Sequence, residues 1–430
     1  LLKRKGYNAD KTEEKMSKRR VVVTGMGCVT PYGIGVDTMW NHLKAGISGI
    51  KEHNLDKSKH LVKVAGQVPA DIDIDSYIDP KEAKRLDKSI IYALIASEEA
   101  FKDSGLDLDK EDKTRIGTIV STAAGGLVIV TTGYKDMMAR GFHKCSPFTV
   151  PMMIANMASG KVSIKYGLRG PSKAVLSACA TGAHSVGDSF RTIQYGDADI
   201  MFAGGAESSV CDFGIGAFTS ARTLSKSTRP ANEVSRPYDK ERDGFVLSEG
   251  GAVLILEERE HALARGAKIY AEITGYGQSS DAYDMVAPDP EGRGAELAIR
   301  NCLKEGNKKP EEVDYINMHG TSTHLGDMAE SNTVARIFGD RNTNKNLCVS
   351  STKSMTGHML GAAGSAEAIV AIKTITESIV PPTINIVHRD EECADLDYVA
   401  NTAKQKEVNT AISNSFGFGG HNAVLMFEKN

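Results

Sequence analysis

Ser-Lys-Ala-Val-Leu-Ser-Ala-Cys-Ala-Thr-Gly-Ala-His, residues 172–184, is the stretch that decides the fold. Ser172–Ser177 reads as a short buried strand, and Gly182 to Tyr195 reads as a helix that begins with small residues. Cys179 stands at the junction. There, free backbone N–H groups and the positive end of a helix favour a thiolate, the nucleophilic form of cysteine. The position suits covalent catalysis. The plainer reading of the same residue is a small buried hydrophobe.

Working outward, further apolar runs suggest strands at Arg20–Thr24, Arg115–Ser121, Ile200–Gly204, Ala252–Glu257, Ile269–Tyr276, Tyr315–Met318, Leu347–Ser350 and Ala423–Phe427. Helical periodicity marks Thr38–Ala45, Leu86–Ser104, His184–Tyr195, Gly294–Glu305, Ala329–Phe338 and Ser365–Thr376. Strands alternating with helices predict an α/β fold with buried sheets. Arg20–Gly27 and Lys268–Gly277 are both β-rich runs closing on Gly-x-Gly, a faint echo of an internal duplication. Glu257–Ala267 between them reads as an exposed connecting helix. Gly25-Met-Gly27 resembles half of a dinucleotide fingerprint, but Thr30 stands where the third glycine belongs, which excludes that site.

Composition narrows the function. The chain has 430 residues, 41% of them hydrophobic, with a formal net charge of −3, so nothing in it favours general nucleic-acid binding. No apolar run reaches the ~18 residues of a membrane span. Seven dispersed cysteines without close pairs disfavour zinc ribbons, iron–sulfur clusters and a disulfide framework, and fit a reducing compartment. Residues 1–17 lack the apolar core of a secretory signal; they read as a linker, a tag remnant or the stub of a removed targeting peptide.

Four segments carry candidate chemistry. Asn317-Met-His-Gly-Thr-Ser-Thr323 places His319 on a loop leaving a strand, with Asp327 and Glu330 following. In Ser351-Thr-Lys-Ser-Met-Thr-Gly-His358, His358 precedes small residues and an apolar helix; Lys353, if buried, needs a carboxylate, and Glu367 is the nearest in sequence. Asn414-Ser-Phe-Gly-Phe-Gly-Gly-His-Asn422 reads as a loop with exposed backbone N–H groups suited to an oxyanion. Arg236–Glu249 reads as a buried ion-pair corner or an interface. Two neutral imidazoles near a thiolate could serve an oxyanion or enolate. Zinc held by Cys179, His319 and His358 is the rival, disfavoured because no close ligand pair is present.

These segments, Ala-Cys-Ala-Thr-Gly, His-Gly-Thr-Ser-Thr, Lys-Ser-Met-Thr-Gly-His and Asn-Ser-Phe-Gly-Phe-Gly-Gly, occur in the order that resembles the β-ketoacyl-[acyl-carrier-protein] synthases, closest to the synthase II subgroup, from about Lys18 to the C-terminus. The resemblance implies a thiolase-like fold of two similar α-β-α-β-α halves in five layers, residues 18–267 and 268–430, and a homodimer. It implies decarboxylating condensation of malonyl-carrier with acyl-carrier protein to 3-oxoacyl-carrier protein, with substrates on phosphopantetheine and no cofactor or metal. Cys179 would carry the acyl chain. His319 and His358 would assist decarboxylation, and Lys353 with Glu367 would set the field around them. The N–H groups of Cys179 and Phe418 would form the oxyanion hole, with Phe418 as a gate. Thr321, Thr323 and Phe416 would hold the pantetheine arm, and Ala124 would line the acyl pocket. Lys81, Lys84, Arg85, Lys144 and Arg222 would receive the acidic carrier protein. The implied compartment is the bacterial cytoplasm or, for an organellar member, the stroma or matrix.

The sequence departs from the family at Ala124, where bulkier residues are common, and at His421, where others have Thr. A thiolase would need a second catalytic cysteine near the C-terminus, and none follows Cys393. A synthase III would pair Cys with His and Asn, and a chain-length factor would lack Cys179. A polyketide ketosynthase stays open, although the lack of flanking acyltransferase or carrier domains favours a discrete enzyme.

Overall fold

The computed structural model describes residues 18–430, so the expectation for 1–17 lies outside the described residues. Nine strands form the body of a continuous sheet: β1 (Val21–Thr30), β2 (Ile116–Ser121), β3 (Ile200–Glu207), β4 (Gly250–Glu258), β5 (Ala271–Ser280), β6 (Tyr315–Asn317), β7 (Cys348–Ser350), β8 (Thr410–Gly417) and β9 (His421–Glu428). Their order across the sheet is β7-β6-β8-β9-β5-β1-β4-β3-β2, and the short pair of residues Gly33–Ile34 adds to β1.

The duplication is written in this order. In the second half, first, fifth, fourth, second and third strands lie side by side as β5, β9, β8, β6 and β7. In the first half β1, β4, β3 and β2 occupy the same places, with the same alternation of antiparallel and parallel pairs. Residues 172–177 fill the remaining place: Ser172 bridges Thr118 in parallel. The two first strands, source of the echo in the sequence, pair directly through Val21–Ile273 and Val23–Ala271.

Helices α1 (Lys88–Ser104), α2 (Thr181–Gln194), α3 (Arg293–Glu305), α4 (His324–Phe338) and α5 (Ala363–Glu377) complete the layers. α1 covers the outer face of β1 and β4, and α3 covers β5 and β9 with α4 beside it. α2 and α5 pack together between the two sheet halves, giving five layers of the thiolase-like kind. The central pair approaches closely because its contact is glycine: a Cβ on Gly182 would lie 2.8 Å from Gly361 O and Ser365 N, and one on Gly364 would lie 2.6 Å from Ala183 N. β4 shows why its residues form a central strand. All nine are buried; Ala252, Leu254 and Leu256 face the inner core, while Val253 and Ile255 face the outer one.

Some boundaries differ from the sequence reading. Ser172–Ser177 is not a buried strand: it has one bridge, and Leu176 is 52% exposed, because beyond β2 it has no further strand on its outer side. α4 begins at His324, five residues before Ala329, since Gly326 and buried Asp327 interrupt the apolar period of its first turns. The connecting helix is shorter than expected, Arg259–Ala264, and Glu257 belongs to β4, fully buried and bonded to Arg265 at 2.7 Å. The expected loop over Asn414–Asn422 is mostly hairpin: Gly417 pairs with His421, leaving only Phe418-Gly-Gly420 as the turn.

Candidate active site

Cys179 sits on a single turn, Ala178–Ala180, that feeds directly into α2. Ala178 adopts φ +50°, a left-handed conformation that makes the bend sharp. The Ser177 N–H donates to Thr181 Oγ at 2.9 Å and the Ala180 N–H to Ser177 O at 3.1 Å, which fixes the elbow. Gly417 at the end of β8 lies against it; a Cβ there would stand 2.5 Å from Ser177 O and 3.1 Å from Cys179 N. That contact brings the following Phe418 N–H to the Cys179 sulfur, beside the N–H of Cys179 itself.

His319 leaves β6 two residues after Asn317. Its backbone N–H and that of Gly320 donate to the two oxygens of Glu330 on α4, at 2.7 and 2.8 Å. Asn414 Nδ2 holds the same carboxylate at 3.0 Å. His358 follows β7 after one short helix and precedes the turn Leu360–Ala362, which feeds into α5 as the Cys179 turn feeds into α2. Its N–H donates to Val246 O at 2.8 Å and its carbonyl accepts from Ser248 N–H at 2.9 Å. The two imidazoles meet edge to face, centroids 5.4 Å apart, with Phe245 packed on His358 and Phe416 on His319.

These groups converge at one cavity of about 470 Å³, lined by Cys179, His319, His358 and Phe418. Burial, the charge of Lys353 and the neighbouring His358 push the His319 pKa well below the usual imidazole value. Burial and Lys353 do the same to His358. Both rings are therefore neutral near pH 7 and can donate one N–H each. Among the described residues, neither nitrogen of His358 nor Nδ1 of His319 has a hydrogen-bond partner. Lys353 is 1% exposed and pairs with Glu367 on α5, so the surface-lysine alternative fails. Burial pushes the Glu367 carboxyl up to about 7, with Lys353 pulling against it.

The thiol departs from the sequence reading. Burial pushes Cys179 up to about 12, although Lys353 and the N–H groups of Phe418 and Cys179 all favour the thiolate. The helix start offers stabilisation, but the low-dielectric setting outweighs it at rest.

Thr321 and Thr323 line the cavity with their hydroxyls 3.0 Å apart, and Phe416 lines it beside them. Arg222 is exposed at its mouth. Lys81, Lys84 and Arg85 lie exposed at the short helix Pro80–Ala83, with the Arg85 guanidinium 5.0 Å over the Phe148 ring, in the segment that also carries exposed Lys144. Ala124 does not line this cavity; it is exposed in the turn after β2. Arg236–Glu249 forms the expected ion-pair corner: Arg236 bonds Asp239 at 2.9 Å and Arg242 bonds Asp390 at 2.6 Å, all buried. Glu330 and Phe245 shape the histidines, yet their roles escape sequence reasoning. The spacing His319–Glu330 hints at the first, whereas nothing in the sequence hints at the second.

The comparisons agree with this geometry. A family model described as "Beta-ketoacyl synthase, N-terminal domain" matches residues 18–262, and its partner, "Beta-ketoacyl synthase, C-terminal domain", matches 270–387. The 3-oxoacyl-[acyl-carrier-protein] synthase 2 of Vibrio harveyi is 46% identical over 96% of this chain and 99% of its own length. That of Synechocystis sp. is 45% identical over the same shares. Among solved structures, a type II polyketide ketosynthase complex with its acyl-carrier protein has a TM-score of 0.89 at 32% identity, covering 96% of this chain and all of the other. A beta-ketoacyl synthase from Burkholderia phymatum has a TM-score of 0.87 at 32% identity with the same coverage. By its sequence, its layers and its convergent cysteine and histidines, the chain belongs to the beta-ketoacyl synthase family.

Proposed function

We propose that this protein elongates fatty acyl chains by condensing malonyl-[acyl-carrier protein] with acyl-[acyl-carrier protein], releasing CO₂, free carrier protein and 3-oxoacyl-carrier protein. The observation that carries the reading is the meeting of Cys179, two neutral imidazoles and the Phe418 N–H at one cavity. Cys179 Sγ attacks the acyl thioester; the N–H groups of Cys179 and Phe418 hold the oxyanion, and the proton of the thiol leaves with the carrier thiol. Because the resting thiol is protonated, this step removes its proton as the carbon–sulfur bond forms. The malonyl thioester then enters. His319 and His358 donate to its carbonyl oxygen while the carboxylate leaves as CO₂, and the resulting enolate attacks the acyl-Cys179 carbonyl. The tetrahedral oxyanion collapses and expels the Cys179 sulfur as thiolate, which takes up one proton from solvent, the proton the overall reaction consumes.

Lys353 with Glu367 keeps positive charge beside both rings, and Thr321, Thr323 and Phe416 line the arm's route. Lys81, Lys84, Arg85, Lys144 and Arg222 offer an exposed basic surface to an acidic carrier. Phe418 is placed to gate the cysteine. We assign the halves to residues 18–267 and 268–430, supported by the repeated strand order. A homodimer is supported by exposed apolar side chains: Leu176 in the edge segment beside β2, and Ile164, Tyr134, Met138 and Phe142. All seven cysteines are free thiols, which suits a reducing cytoplasm or organelle interior. No helix of the described residues is long and apolar enough to cross a membrane.

The test is acyl transfer read by mass spectrometry. The protein should gain one acyl group on Cys179 from acyl-carrier protein and, with malonyl-carrier protein, release a product two carbons longer. Acylation that persists in Cys179→Ala would refute the mechanism.

A further inference from the structure

Glu207 closes β3 with a fully buried carboxylate that, among the described residues, pairs with no cation. Its oxygens instead accept four hydrogen bonds. Oε2 takes the Ala123 N–H at 3.0 Å and the Gly361 N–H at 3.3 Å. Oε1 takes the Thr122 hydroxyl at 3.2 Å and the Ser209 hydroxyl at 3.0 Å. Ala123 and Thr122 belong to the turn after β2. Gly361 belongs to the turn Leu360–Ala362, which follows His358 by two residues and in which Leu360 is held at φ +45°. Leu360 packs in the same apolar cluster as Cys179 and Phe245, whose ring meets His358 edge to face.

That turn has no slack. A Cβ on Gly361 would stand 2.5 Å from Ala123 N and 2.9 Å from Glu207 Oε2, while Cβ atoms on Gly205 and Gly182 would stand 2.2 and 2.8 Å from Gly361 O. A single carboxylate thus pins two turns from different parts of the chain at the spot where the Cys179 elbow meets them. An uncompensated buried carboxylate is costly, and here its retention coincides with a geometric task.

We propose that Glu207 is a positioning residue of condensation: by reach rather than by charge, its carboxylate holds the turn after His358 and the Thr122–Ala123 turn in register with Cys179. The proposal rests on the condensation reading above. A misplaced catalytic group costs rate more than affinity, so the loss belongs to kcat.

Three variants separate reach from charge. In Glu207→Gln the amide oxygen can accept both N–H groups and the amide nitrogen can donate to both hydroxyls, so kcat is expected within about three-fold of wild type. Glu207→Asp keeps the charge but is one methylene short of spanning both turns, and Glu207→Ala removes the link. Each is expected to lower kcat by about 10²-fold with KM for malonyl-carrier protein unchanged. Stoichiometric alkylation of Cys179 by iodoacetamide and an unchanged circular dichroism spectrum show that a variant is folded; if Ala is not, Asp decides the matter. Wild-type kcat in Asp would overturn the proposal, and so would an active Asp beside an inactive Gln, which would assign the effect to charge. If wild type itself forms no elongated product in the same assay, the condensation reading fails instead.

Discussion

Lys353→Met is the perturbation with the clearest arithmetic. Lys353 and Glu367 are 1% and 4% exposed, so removing the cation leaves a carboxylate in the protein interior with Oε2 already unpartnered. Breaking a buried pair from one side costs about 3–5 kcal/mol, relieved in part when the acid takes up a proton. Burial already holds Glu367 up to about 7 with Lys353 present, so without it the group is neutral at pH 7. Lys353→Met/Glu367→Met replaces the pair with apolar chains of similar size and should recover most of the stability, by equilibrium urea unfolding. Activity on the acid side should not follow. Burial is the larger cause of the lowered pKa of both histidines and the charge of Lys353 the second, so losing the charge raises them only part of the way toward the ordinary imidazole value. Decarboxylation uses the neutral rings, so its acid limb moves to higher pH in both variants. Even at the ordinary value of about 6.5 roughly three-quarters of each ring stays neutral at pH 7, so the rate there should fall by no more than about twofold and the loss is read on the limb below about pH 6. A double variant that regains decarboxylation on that limb along with stability would refute this reasoning and reduce Lys353 to a neutraliser of Glu367. A pH profile that superimposes on wild type would do the same.

Further expectations concern contact, docking and assembly. Gly417→Ala drives a Cβ to 2.5 Å from Ser177 O, so the elbow or β8 must move; kcat should drop by about 10²-fold while urea stability changes less, and unchanged kcat would show that the elbow is compliant. Lys84→Glu with Arg85→Glu should raise KM for carrier-bound substrates and leave kcat unchanged, an effect that weakens at high salt; an unaltered KM removes these residues from the docking surface. Leu176→Asp, in the edge segment beside β2, should shift the protein toward monomer in analytical ultracentrifugation, and an unshifted sedimentation coefficient would place the interface elsewhere.

Where the sequence was read correctly, a local rule was enough. β4 is a run of apolar residues long enough for one buried strand, and α5 is an Ala- and Ile-rich helix apolar nearly all round, as a central helix is. Cys179 at the sharp start of a helix and Glu367 as partner of Lys353 were legible because small residues and a buried cation each have few solutions. Ser172–Ser177 misled because its short apolar run is that of a buried strand, while burial depends on what lies beyond the sheet edge. The Asn414–Asn422 segment misled because glycine density signals a loop, yet only three of its residues turn.

Sequence by itself determined the residue types, their order and the α/β class, because periodicity and turn chemistry act within a few residues. Tertiary structure alone decided which groups face one another. It set the Cys179 turn and the Leu360–Ala362 turn after His358 at matching places of a duplicated sheet, bridged by α2 and α5 through Gly182 and Gly364. It decided the protonation of the site too. The same helix start that favours a thiolate lies so deep that burial lifts the Cys179 thiol to about 12, and the same burial keeps both histidines neutral. Desolvation depends on everything packed around a group, and residues far apart in the chain supply it.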